Sequence, residues 1–351
     1  MGRSFFLSAL AALALATPVA AQDASDVLVI AHRGASGERP EHTLAAYERA
    51  IDQGADYVEP DLVATKDLVL VARHENEISG TTDVADRPAF ADRRRTKTID
   101  GRPVTGWFVE DFTLAELRTL RAKERLPHLR PVGARFDGLF QVPTFAEIVA
   151  LVKAKEAETG RRIGLYPELK HPQFLLRDEG IDTVDLLLRE LAAAGIGAND
   201  PIFIQSFEIT PLRRLDERSD YKLVQLVGAA GGPADEPSMR YGAMVTMDGA
   251  ARIADYADAI GADIRLLLEE DGTPSGLVTA AHAAGLKVHA WTLRKENAFL
   301  PPPLRHGESE GGRGCPEKLW TLLVRAGVDG VFTDDPAIAV AARQGSTCGQ
   351  P

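Results

Sequence analysis

The feature that most constrains the fold of this chain is a repeated alternation of short apolar segments with amphipathic helical segments. The apolar segments are rich in Val, Ile and Leu, and helical segments such as "TVDLLLRELAAAG" and "PEKLWTLLVRAG" end at glycine, a favoured helix terminator. Strands of this composition are typical of a parallel sheet that is buried on both faces by helices. About eight such strands predict a closed (β/α)8 barrel, the TIM-barrel fold.

An open, doubly wound sheet is the alternative arrangement for the same alternation. That fold favours a glycine-rich phosphate loop directly after the first strand. The first strand here is followed by "HRGASG", which has two glycines but also a bulky arginine. The barrel is therefore the preferred prediction. The nine apolar segments from which its strands are predicted are, in chain order, "VLVIAH", "YVEPDLV", "LVLVARHE", "IGLYPELK", "PIFIQSFE", "KLVQLVG", "ADAIGADI", "KVHAWTLR" and "GVFTDDP".

One region, residues 80–141, interrupts the alternation. It contains charged runs such as "DRRRTKTIDGRP" and a single short helical pattern, "TLAELRTLRAKE". Long loops in compact domains are usually functional or mobile. We therefore predict an insertion after the third strand that covers one end of the barrel. The barrel domain is predicted to span residues 22–344, followed by a tail of residues 345–351.

The N-terminal residues 1–21 contain one arginine, a short apolar run and small residues that end at Ala21. This pattern is typical of a secretory signal peptide. A membrane anchor is the alternative, but the apolar run is short for a bilayer span. We expect a periplasmic or secreted protein without stable membrane insertion, after cleavage near Ala21.

The net charge of −11 argues against nucleic acid as a partner, because a phosphate backbone is bound by basic surfaces. A small phosphate ligand remains compatible with this charge, since one local basic pocket can hold it. The chain has two cysteines, Cys315 and Cys348. In an exported protein such a pair can form a disulfide, and the sequence leaves open whether this one does.

Polar and charged residues stand at the ends of the predicted strands. In a parallel barrel the carboxyl ends of all strands meet at one rim, the face where barrel enzymes carry their chemistry. We therefore predict a functional site at this rim, and His289, which shares a strand with Trp291, is a further residue that can face it. The candidate site residues are His32, Arg33, Glu59, Asp61, His74, Glu168, Lys170, Gln205 and Trp291, with Asp334 and Asp335 at the end of the last strand.

The carboxylates among these residues predict a metal site. Glu59 and Asp61 are two apart on one strand and point to the same side, and Glu168 and Lys170 repeat that spacing. Converging carboxylates repel each other unless a cation lies between them. An all-oxygen set suits Ca²⁺ or Mg²⁺ better than zinc. The alternative is a set of salt bridges, such as Glu168 with Lys170.

His32 and His74 are the candidate acid and base, because two histidines at one rim can transfer protons on either side of a reacting centre. Arg33 and Lys170 supply positive charge for an anionic ligand, and arginine suits bidentate contact with phosphate. Together these groups indicate phosphoester cleavage. Trp291 is either a contact for an apolar or choline-like part of the substrate or a residue of the barrel core.

The motifs "AHRGASGERPEHTLAAYERAIDQGADYVEPDL", "RHE…TTDV", "YPELK", "QSF", "HAWTLR" and "GVFTDDP" resemble those of the glycerophosphodiester phosphodiesterases. The closest likeness is to the exported, periplasmic bacterial branch, and it covers nearly the whole chain after the N-terminal segment. The resemblance implies hydrolysis of a small glycerophosphodiester to glycerol 3-phosphate and an alcohol. It also implies a metal, Ca²⁺ more than Mg²⁺, held by Glu59, Asp61 and Glu168. The same resemblance assigns acid–base catalysis to His32 and His74 and phosphate contacts to Arg33 and Lys170. From their positions in the predicted strands, Gln205 and Trp291 are further substrate-binding candidates.

Three positions depart from the common pattern of that family. Glu75 stands where many members have Asp after the histidine, and Gly80 stands where an arginine often precedes the Thr-Thr pair. Pro60 occupies the middle of the Glu-x-Asp motif, and we expect an unpaired or bulged backbone there because proline has no N–H to donate. The leaving alcohol and the oligomeric state stay open.

Two rival functions are less consistent with the sequence. A lipase-like phosphodiesterase needs an exposed apolar rim for membrane contact, whereas the insertion is strongly charged. A solute-binding protein on a barrel scaffold is the non-enzymatic alternative, since a fold does not fix a function. The complete set of histidines, carboxylates and lysine favours an enzyme.

Overall fold

The computed structural model describes residues 24–349. The predicted signal peptide, residues 1–21, and the last two residues of the predicted tail lie outside these described residues. Across residues 24–349, no helix has both the length and the apolar character needed to cross a membrane.

The strands alternate with helices along the chain, as predicted. The strands are β1 (Leu28–His32), β2 (Tyr57–Glu59), β3 (Asp61–Ala64), β4 (Leu70–Ala72), β5 (Arg95–Ile99), β6 (Arg102–Gly106), β7 (Gly164–Leu165), β8 (Glu168–Leu169), β9 (Phe203–Ser206), β10 (Lys222–Val227), β11 (Ala259–Asp263), β12 (Lys287–Leu293) and β13 (Gly330–Thr333).

The α-helices are α1 (Leu44–Asp52), α2 (Leu114–Leu117), α3 (Phe145–Thr159), α4 (Pro172–Asp178), α5 (Thr183–Ala193), α6 (Ile209–Asp216), α7 (Tyr241–Met244), α8 (Met247–Ile253), α9 (Ile264–Leu267), α10 (Leu277–Ala283), α11 (Pro316–Ala326) and α12 (Pro336–Arg343). Short 3-10 helices span Ala24–Asp26, Val84–Asp86, Pro88–Arg93, Val109–Asp111, Gly133–Phe136, Asn297–Phe299 and Pro302–Leu304. Several α-helices begin with a side-chain cap; Thr144 and Glu147, for example, form a reciprocal capping box at the start of α3.

Within residues 24–349, eight parallel strands close into the predicted (β/α)8 barrel. The segments β2 and β3 together form one of these strands, and β7 and β8 form another. Parallel pairing runs from β8 through β9 to β13, and from there to β1 and β2. β2 pairs with β7, and a parallel bridge between Leu165 and Ile202 links β7 to the start of β9.

Proline explains why two barrel strands are split into short segments. Pro60 separates β2 from β3, and Pro167 directly precedes β8. Neither residue has an N–H to donate to a neighbouring strand, so the ladder is interrupted at both. The carbonyl of Pro60 still accepts a hydrogen bond from the Glu168 N–H at 2.9 Å. The predicted irregularity at Pro60 is confirmed, and it leaves Asp61 in register with Glu168.

The strand β4 corrects one part of the sequence interpretation. Every strand that ends at the rim was expected to run parallel, but β4 runs antiparallel to β3, with Leu62 opposite Ala72. The five-residue connection, residues 65–69, is too short for the crossover that a parallel pair requires. The insertion follows the third strand along the chain, as predicted. His74 reaches the rim because β4 returns towards it.

The insertion, residues 80–141, contains an antiparallel hairpin of β5 and β6 that the sequence interpretation missed. Six of the ten residues in these two strands are charged or polar, so no apolar alternation marks them as strands. An apolar cluster nevertheless joins the insertion to β3 and β4. Its members include Val63, Val71, Val84, Phe90, Trp107, Phe112 and Leu117.

The barrel interior is filled by apolar and aromatic side chains around Tyr166 and Phe332. His289 lies among them, and its Nδ1 is 2.6 Å from the Tyr166 hydroxyl oxygen. It is level with Gly330 and therefore with Leu28, at the opposite end of β1 from the rim. The expectation that His289 faces the rim is wrong, because the strand face it occupies points into the barrel core.

Cys315 and Cys348 form a disulfide with their Cα atoms 5.5 Å apart. The bond joins the residue that precedes α11 to the segment that follows α12. It settles the question that the sequence left open.

Candidate functional site

A pocket opens at the carboxyl ends of the barrel strands, and the predicted site residues converge on it. Glu59 and Glu168 lie on strands that neighbour each other in the barrel, and His32 pairs with Glu59 across β1 and β2. The residues that line the pocket are His32, Arg33, Glu59, His74, Glu168, Gln205, Phe207, Leu226, Trp291, Thr292, Arg294 and Phe332. Asp61 and Lys170 adjoin these residues through Glu168. All nine residues predicted for the site are therefore brought together.

Three carboxylates form the floor of the site. Glu59, Asp61 and Glu168 are 1%, 1% and 6% exposed. Each can offer one ligand oxygen, and these oxygens all lie within 4.8 Å of one another. The short distances follow from the Pro60 interruption, which leaves Asp61 directly opposite Glu168. Such a cluster is costly to bury without compensating positive charge.

The pKa values of the three carboxyl groups reflect this conflict. Burial raises the pKa of Glu59 well above its ordinary value, and the neighbouring charges of Asp61 and Glu168 raise it further. Burial also raises the pKa of Glu168 to about 8. Burial acts in the same sense on Asp61, but the charge of Lys170 and a hydrogen bond from His42 outweigh it and hold the Asp61 pKa well below its usual range.

The residues present fit a divalent cation. The Oδ1 atom of Asp61 is buried and has no hydrogen-bond partner, so one carboxylate oxygen of the cluster is left for another ligand. Three carboxylates supply the all-oxygen set that Ca²⁺ and Mg²⁺ prefer. A cation would also neutralise the charges that raise the pKa of Glu59 and Glu168.

Two basic side chains flank the carboxylates. The Lys170 Nζ lies 2.8 Å from Glu168 Oε1. The Arg33 Nε lies 3.3 Å from Asp61 Oδ2, and the Arg33 NH1 lies 3.0 Å from Glu41. The Glu168–Lys170 salt bridge, the alternative reading of the sequence, is present together with the carboxylate cluster rather than in place of it. Both cations are buried and are positioned beside the pocket.

His32 is held by a carboxylate from the last strand. Its Nδ1 lies 2.6 Å from Asp334 Oδ1, and Asp334 is 2% exposed. Burial and the charge of Arg33 lower the His32 pKa to about 4 although Asp334 opposes that shift. The imidazole is therefore neutral at pH 7, and the bond at Nδ1 leaves Nε2 available to accept a proton.

His74 is held by the residue that follows it. Its Nδ1 lies 2.5 Å from Glu75 Oε1. Burial and the charges of Arg33 and Lys170 lower the pKa of His74 to about 3. Glu75, which departs from the aspartate of the common family pattern, still orients the histidine because its longer side chain reaches Nδ1.

Gln205 and Trp291 occupy different positions in the pocket. The Gln205 Nε2 donates to Glu59 Oε1 at 3.0 Å, so this amide orients a carboxylate of the floor. Trp291 is partly exposed, lines the pocket and lies edge-on to Phe207, with ring centroids 5.8 Å apart. Its Nε1 donates to the Gly261 carbonyl at 3.0 Å, which fixes the indole. Trp291 therefore lines the pocket and also packs against the apolar cluster of the barrel interior.

The sequence reasoning missed several residues that orient these groups. His42, which received no role, is fully buried and donates from Nε2 to Asp61 Oδ2 at 2.8 Å. Glu41 accepts from Arg33 and from Arg125 of the insertion. Glu41 and His42 directly precede the helix cap Thr43, and that buried "EHT" start of α1 was the signal that could have revealed them.

A tight turn sets the direction of Arg33. Arg33 and Gly34 both have positive φ, 61° and 84°. A Cβ atom on Gly34 would lie 2.5 Å from the backbone of Ala46, so only glycine fits against α1. The turn also places the Arg33 N–H 2.8 Å from Glu59 Oε2, which ties the first strand's end to the carboxylate floor.

The pocket at the barrel rim contains two histidines and lies beside two buried basic side chains, Arg33 and Lys170. This combination first defines a class of protein: a barrel enzyme suited to phosphate esters. Residues 32–338 match the glycerophosphoryl diester phosphodiesterase family, so the chain belongs to that family and is a phosphoric diester hydrolase. A glycerophosphodiester phosphodiesterase of Arabidopsis thaliana is 35% identical over 87% of this chain and 82% of its own length. One from Treponema pallidum is 31% identical over 90% of this chain and 92% of its own.

Solved structures support the fold. An Oleispira antarctica phosphodiesterase, solved in complex with the product sn-glycerol-3-phosphate, superposes with a TM-score of 0.61 at 22% identity, covering 90% of this chain and 96% of that one. A glycerophosphodiester phosphodiesterase from Agrobacterium tumefaciens gives 0.56 at 19% identity, over 90% and 99% of the two chains. These likenesses show the same barrel architecture.

Proposed function

We propose that this enzyme hydrolyses small glycerophosphodiesters to glycerol 3-phosphate and an alcohol, with a divalent cation held by Glu59, Asp61 and Glu168. In this proposal His32 and His74 transfer the protons, and Arg33 and Lys170 contact the phosphate. The observation that carries the proposal is the meeting, in one pocket, of the carboxylate cluster with two histidines that are each backed by a carboxylate.

Proton transfer follows from the state of the two imidazoles. The low pKa values of His32 and His74 make both neutral at pH 7, and each has Nδ1 engaged by a carboxylate. One Nε2 therefore removes the proton from the attacking oxygen. The other histidine can protonate the departing alcohol oxygen only as an imidazolium, so it takes a proton from solvent onto Nε2 when the anionic phosphate binds beside it and raises its pKa. After cleavage the first histidine returns its proton to solvent, and Asp334 and Glu75 stabilise the imidazolium that each histidine forms in turn.

Two positively charged side chains, Arg33 and Lys170, are positioned to stabilise the negative charge of the reacting phosphate. Arg33 and Lys170 are buried, so their attraction to the phosphate is stronger than it would be in bulk water. When bound, a divalent cation supplies Lewis-acid stabilisation of charge on the phosphoryl oxygens. Gln205 keeps Glu59 oriented, and Trp291 provides an apolar wall for the rest of the substrate.

Ca²⁺ is the cation that we propose, because three carboxylates in one small cluster suit an ion that accepts many oxygen ligands in flexible geometry. Mg²⁺ usually keeps several waters and takes one or two carboxylates. Mg²⁺ is the alternative.

The decisive experiment measures glycerol 3-phosphate release from a panel of glycerophosphodiesters after chelation and after the addition of Ca²⁺ or Mg²⁺ in turn. We expect no release in chelator and recovery with Ca²⁺ above Mg²⁺. Full activity in excess chelator would contradict the metal proposal, and no release from any member of the panel would contradict the substrate class.

A second measurement tests the ligands without relying on turnover. Replacing Glu168 by Gln removes one anionic ligand, so the rise in unfolding temperature caused by Ca²⁺ should shrink or vanish. Glu208→Gln is the matched control, because Glu208 is also buried but lies outside the carboxylate cluster. An undiminished Ca²⁺ effect in the Glu168 variant would remove that residue from the proposed ligand set.

We also propose that the enzyme belongs to the exported, periplasmic branch of its family. The supporting observations are the signal-peptide pattern in residues 1–21 and the disulfide between Cys315 and Cys348, since such bonds persist in oxidising compartments. Fractionation of cells, with mass analysis of the mature protein, tests this. A cytoplasmic protein that keeps residues 1–21 would contradict it.

A further inference from the structure

Two arginines of the insertion reach the carboxylates that stand behind the two pocket histidines. Arg130 contacts Asp334, which holds His32, and Arg125 contacts Glu75, which holds His74. The arginines are five positions apart in one loop, whereas the histidines lie on separate strands. The insertion therefore contacts the carboxylate partners of both histidines, Asp334 and Glu75.

Arg130 makes an almost fully buried contact. It is 7% exposed, and its NH2 donates to Asp334 Oδ2 at 2.5 Å. Its Nε donates to Glu296 at 2.7 Å, and its NH1 donates to the Ser36 carbonyl at 3.0 Å. The Ser36 hydroxyl in turn donates to the backbone carbonyl of His32 at 2.8 Å. Arg130 thus fixes Asp334, the carboxylate that contacts His32, and also the turn at Ser36 that follows His32.

Arg125 bridges two carboxylates on the other side of the pocket. Its Nε and NH2 form a two-pronged contact with Glu41 at 2.9 and 2.6 Å. Its NH1 donates to Glu75 Oε2 at 2.9 Å. Since Glu41 also accepts from Arg33, this guanidinium links His74 and the phosphate-side arginine through two carboxylates. A single lysine ammonium cannot reproduce that fork.

The loop that carries both arginines is braced internally and externally. The Leu126 carbonyl accepts from the N–H groups of Leu129 and Arg130 at 2.9 and 2.8 Å, and the Glu124 carboxylate accepts from the Leu126 N–H at 2.9 Å. Gly311 packs so closely on Leu129 that a Cβ there would lie 2.9 Å from its carbonyl oxygen. The separation of the two guanidinium groups is therefore set by a folded turn and not by a free loop.

We propose that Arg125 and Arg130 are positioning residues for catalysis, and that the insertion acts as a brace that holds Glu75 and Asp334, and through them His74 and His32, in their working orientations. The inference rests on the proposed roles of the two histidines. It assigns the insertion a part in the chemical step, beyond covering one end of the barrel.

The test compares Arg125→Gln and Arg130→Gln with Arg93→Gln in the full-length mature enzyme. Arg93 is the matched control because it forms an ion pair with Glu116 inside the insertion and contacts neither histidine's partner. We measure kcat and KM for glycerol 3-phosphate release at saturating Ca²⁺, together with the thermal unfolding transition of each variant.

A brace predicts a specific pattern. The Arg130 variant should lose kcat on the order of 10-fold and the Arg125 variant only a few-fold, both with little change in KM, while Arg93→Gln keeps the wild-type kcat. Millimolar guanidinium should restore part of the lost kcat. Should a glutamine variant fail to fold, Arg125→Lys and Arg130→Lys retain the charge and decide the question, with kcat expected between the wild-type and the glutamine values.

Other outcomes overturn the inference. Folded glutamine variants with wild-type kcat would show that the histidines are positioned without the insertion. A loss that tracks the unfolding temperature equally in all three variants, without rescue by guanidinium or lysine, would reduce the contacts to structural support. Failure of the underlying function is separable, because His32→Ala and His74→Ala would then remain active.

Discussion

The two histidines of the pocket are oriented in the same way by carboxylates in very different surroundings. His32 is paired with Asp334, 302 positions later in the chain, whose side chain is 2% exposed. His74 is paired with the adjacent Glu75, whose side chain is 38% exposed. Asp334 is also held by two arginines, Arg130 and Arg294, whereas Glu75 meets Arg125.

This difference shows how one pocket can hold two imidazoles with unlike access to water. The charges of Arg294 and Arg130 outweigh the effect of burial and hold the pKa of Asp334 well below its usual range, so that carboxylate stays ionised. His32 is thereby confined to one orientation in a nearly dry site. We expect His74, with a side chain that is 26% exposed, to be the histidine that exchanges its proton with solvent.

Removing either imidazole should cause the largest loss of activity. His32→Ala and His74→Ala should each lower kcat by on the order of 10²-fold or more, because each abolishes one proton transfer. Release of glycerol 3-phosphate at saturating substrate and metal is the measurement, with the exposed His306→Ala as control. A near wild-type rate in either variant would exclude that histidine from acid–base work.

Neutralising Asp334 and Glu75 one at a time should have unequal effects on kcat. Asp334→Asn should lower kcat by about 10-fold to 100-fold, since it also leaves the buried Arg130 and the partly buried Arg294 without their shared anion. Glu75→Gln should cost only a few-fold, because water can hydrate that side. Asp335→Asn is the control for the first variant: Asp335 pairs with Lys295. Equal losses for Asp334→Asn and Glu75→Gln would refute the proposed asymmetry.

The pH dependence of stability should report the burial of both imidazoles in their neutral form. The folded-state pKa of His32, lowered by burial to about 4, lies below its unfolded value of about 6.5. The neutral form is therefore favoured by folding, so its contribution is complete above pH 6.5 and is lost as pH falls towards 4. The loss amounts to about 3 kcal/mol.

Urea unfolding in chelator between pH 7 and pH 4 measures this effect, as the difference between the wild type and His32→Asn. His74→Asn serves as the comparison, and we expect a difference at least as large for it, because burial and the charges of Arg33 and Lys170 lower the pKa of His74 to about 3. A wild-type curve parallel to that of His32→Asn would contradict the burial of an uncharged His32.

The sequence was most informative where a local pattern decides the outcome. Strand ends mark His32, Glu59 and Glu168 as rim residues, because parallel strands in a barrel present their carboxyl ends together, and this geometry needs no knowledge of loops. The end of the third predicted strand placed His74 in the same set, although β4 reaches the rim by running antiparallel to β3. Glu75 replaces the aspartate of the common family pattern but still contacts His74 Nδ1. This contact joins two adjacent residues, so it does not depend on how distant segments pack.

Contacts between distant segments were not accessible in this way. Arg125 and Arg130 lie in a charged, irregular stretch, and nothing in the spacing of that stretch identifies Glu41 or Asp334 as partners. The antiparallel course of β4 depends on a short connection that the strand pattern leaves undetermined. His289 alternates correctly with Trp291, but its level along the barrel, which the sheet register decides, places it in the core.

The disulfide has a consequence for how the protein retains its active form. Cys315 and Cys348 enclose β13 and with it Asp334, so the covalent ring contains the segment where the last barrel strand meets the first. Closing a ring of 33 residues removes chain entropy worth about 3–4 kcal/mol from the unfolded state in the simplest treatment. Under oxidising conditions, one disulfide therefore restrains both the junction of β13 with β1 and Asp334, the partner of His32.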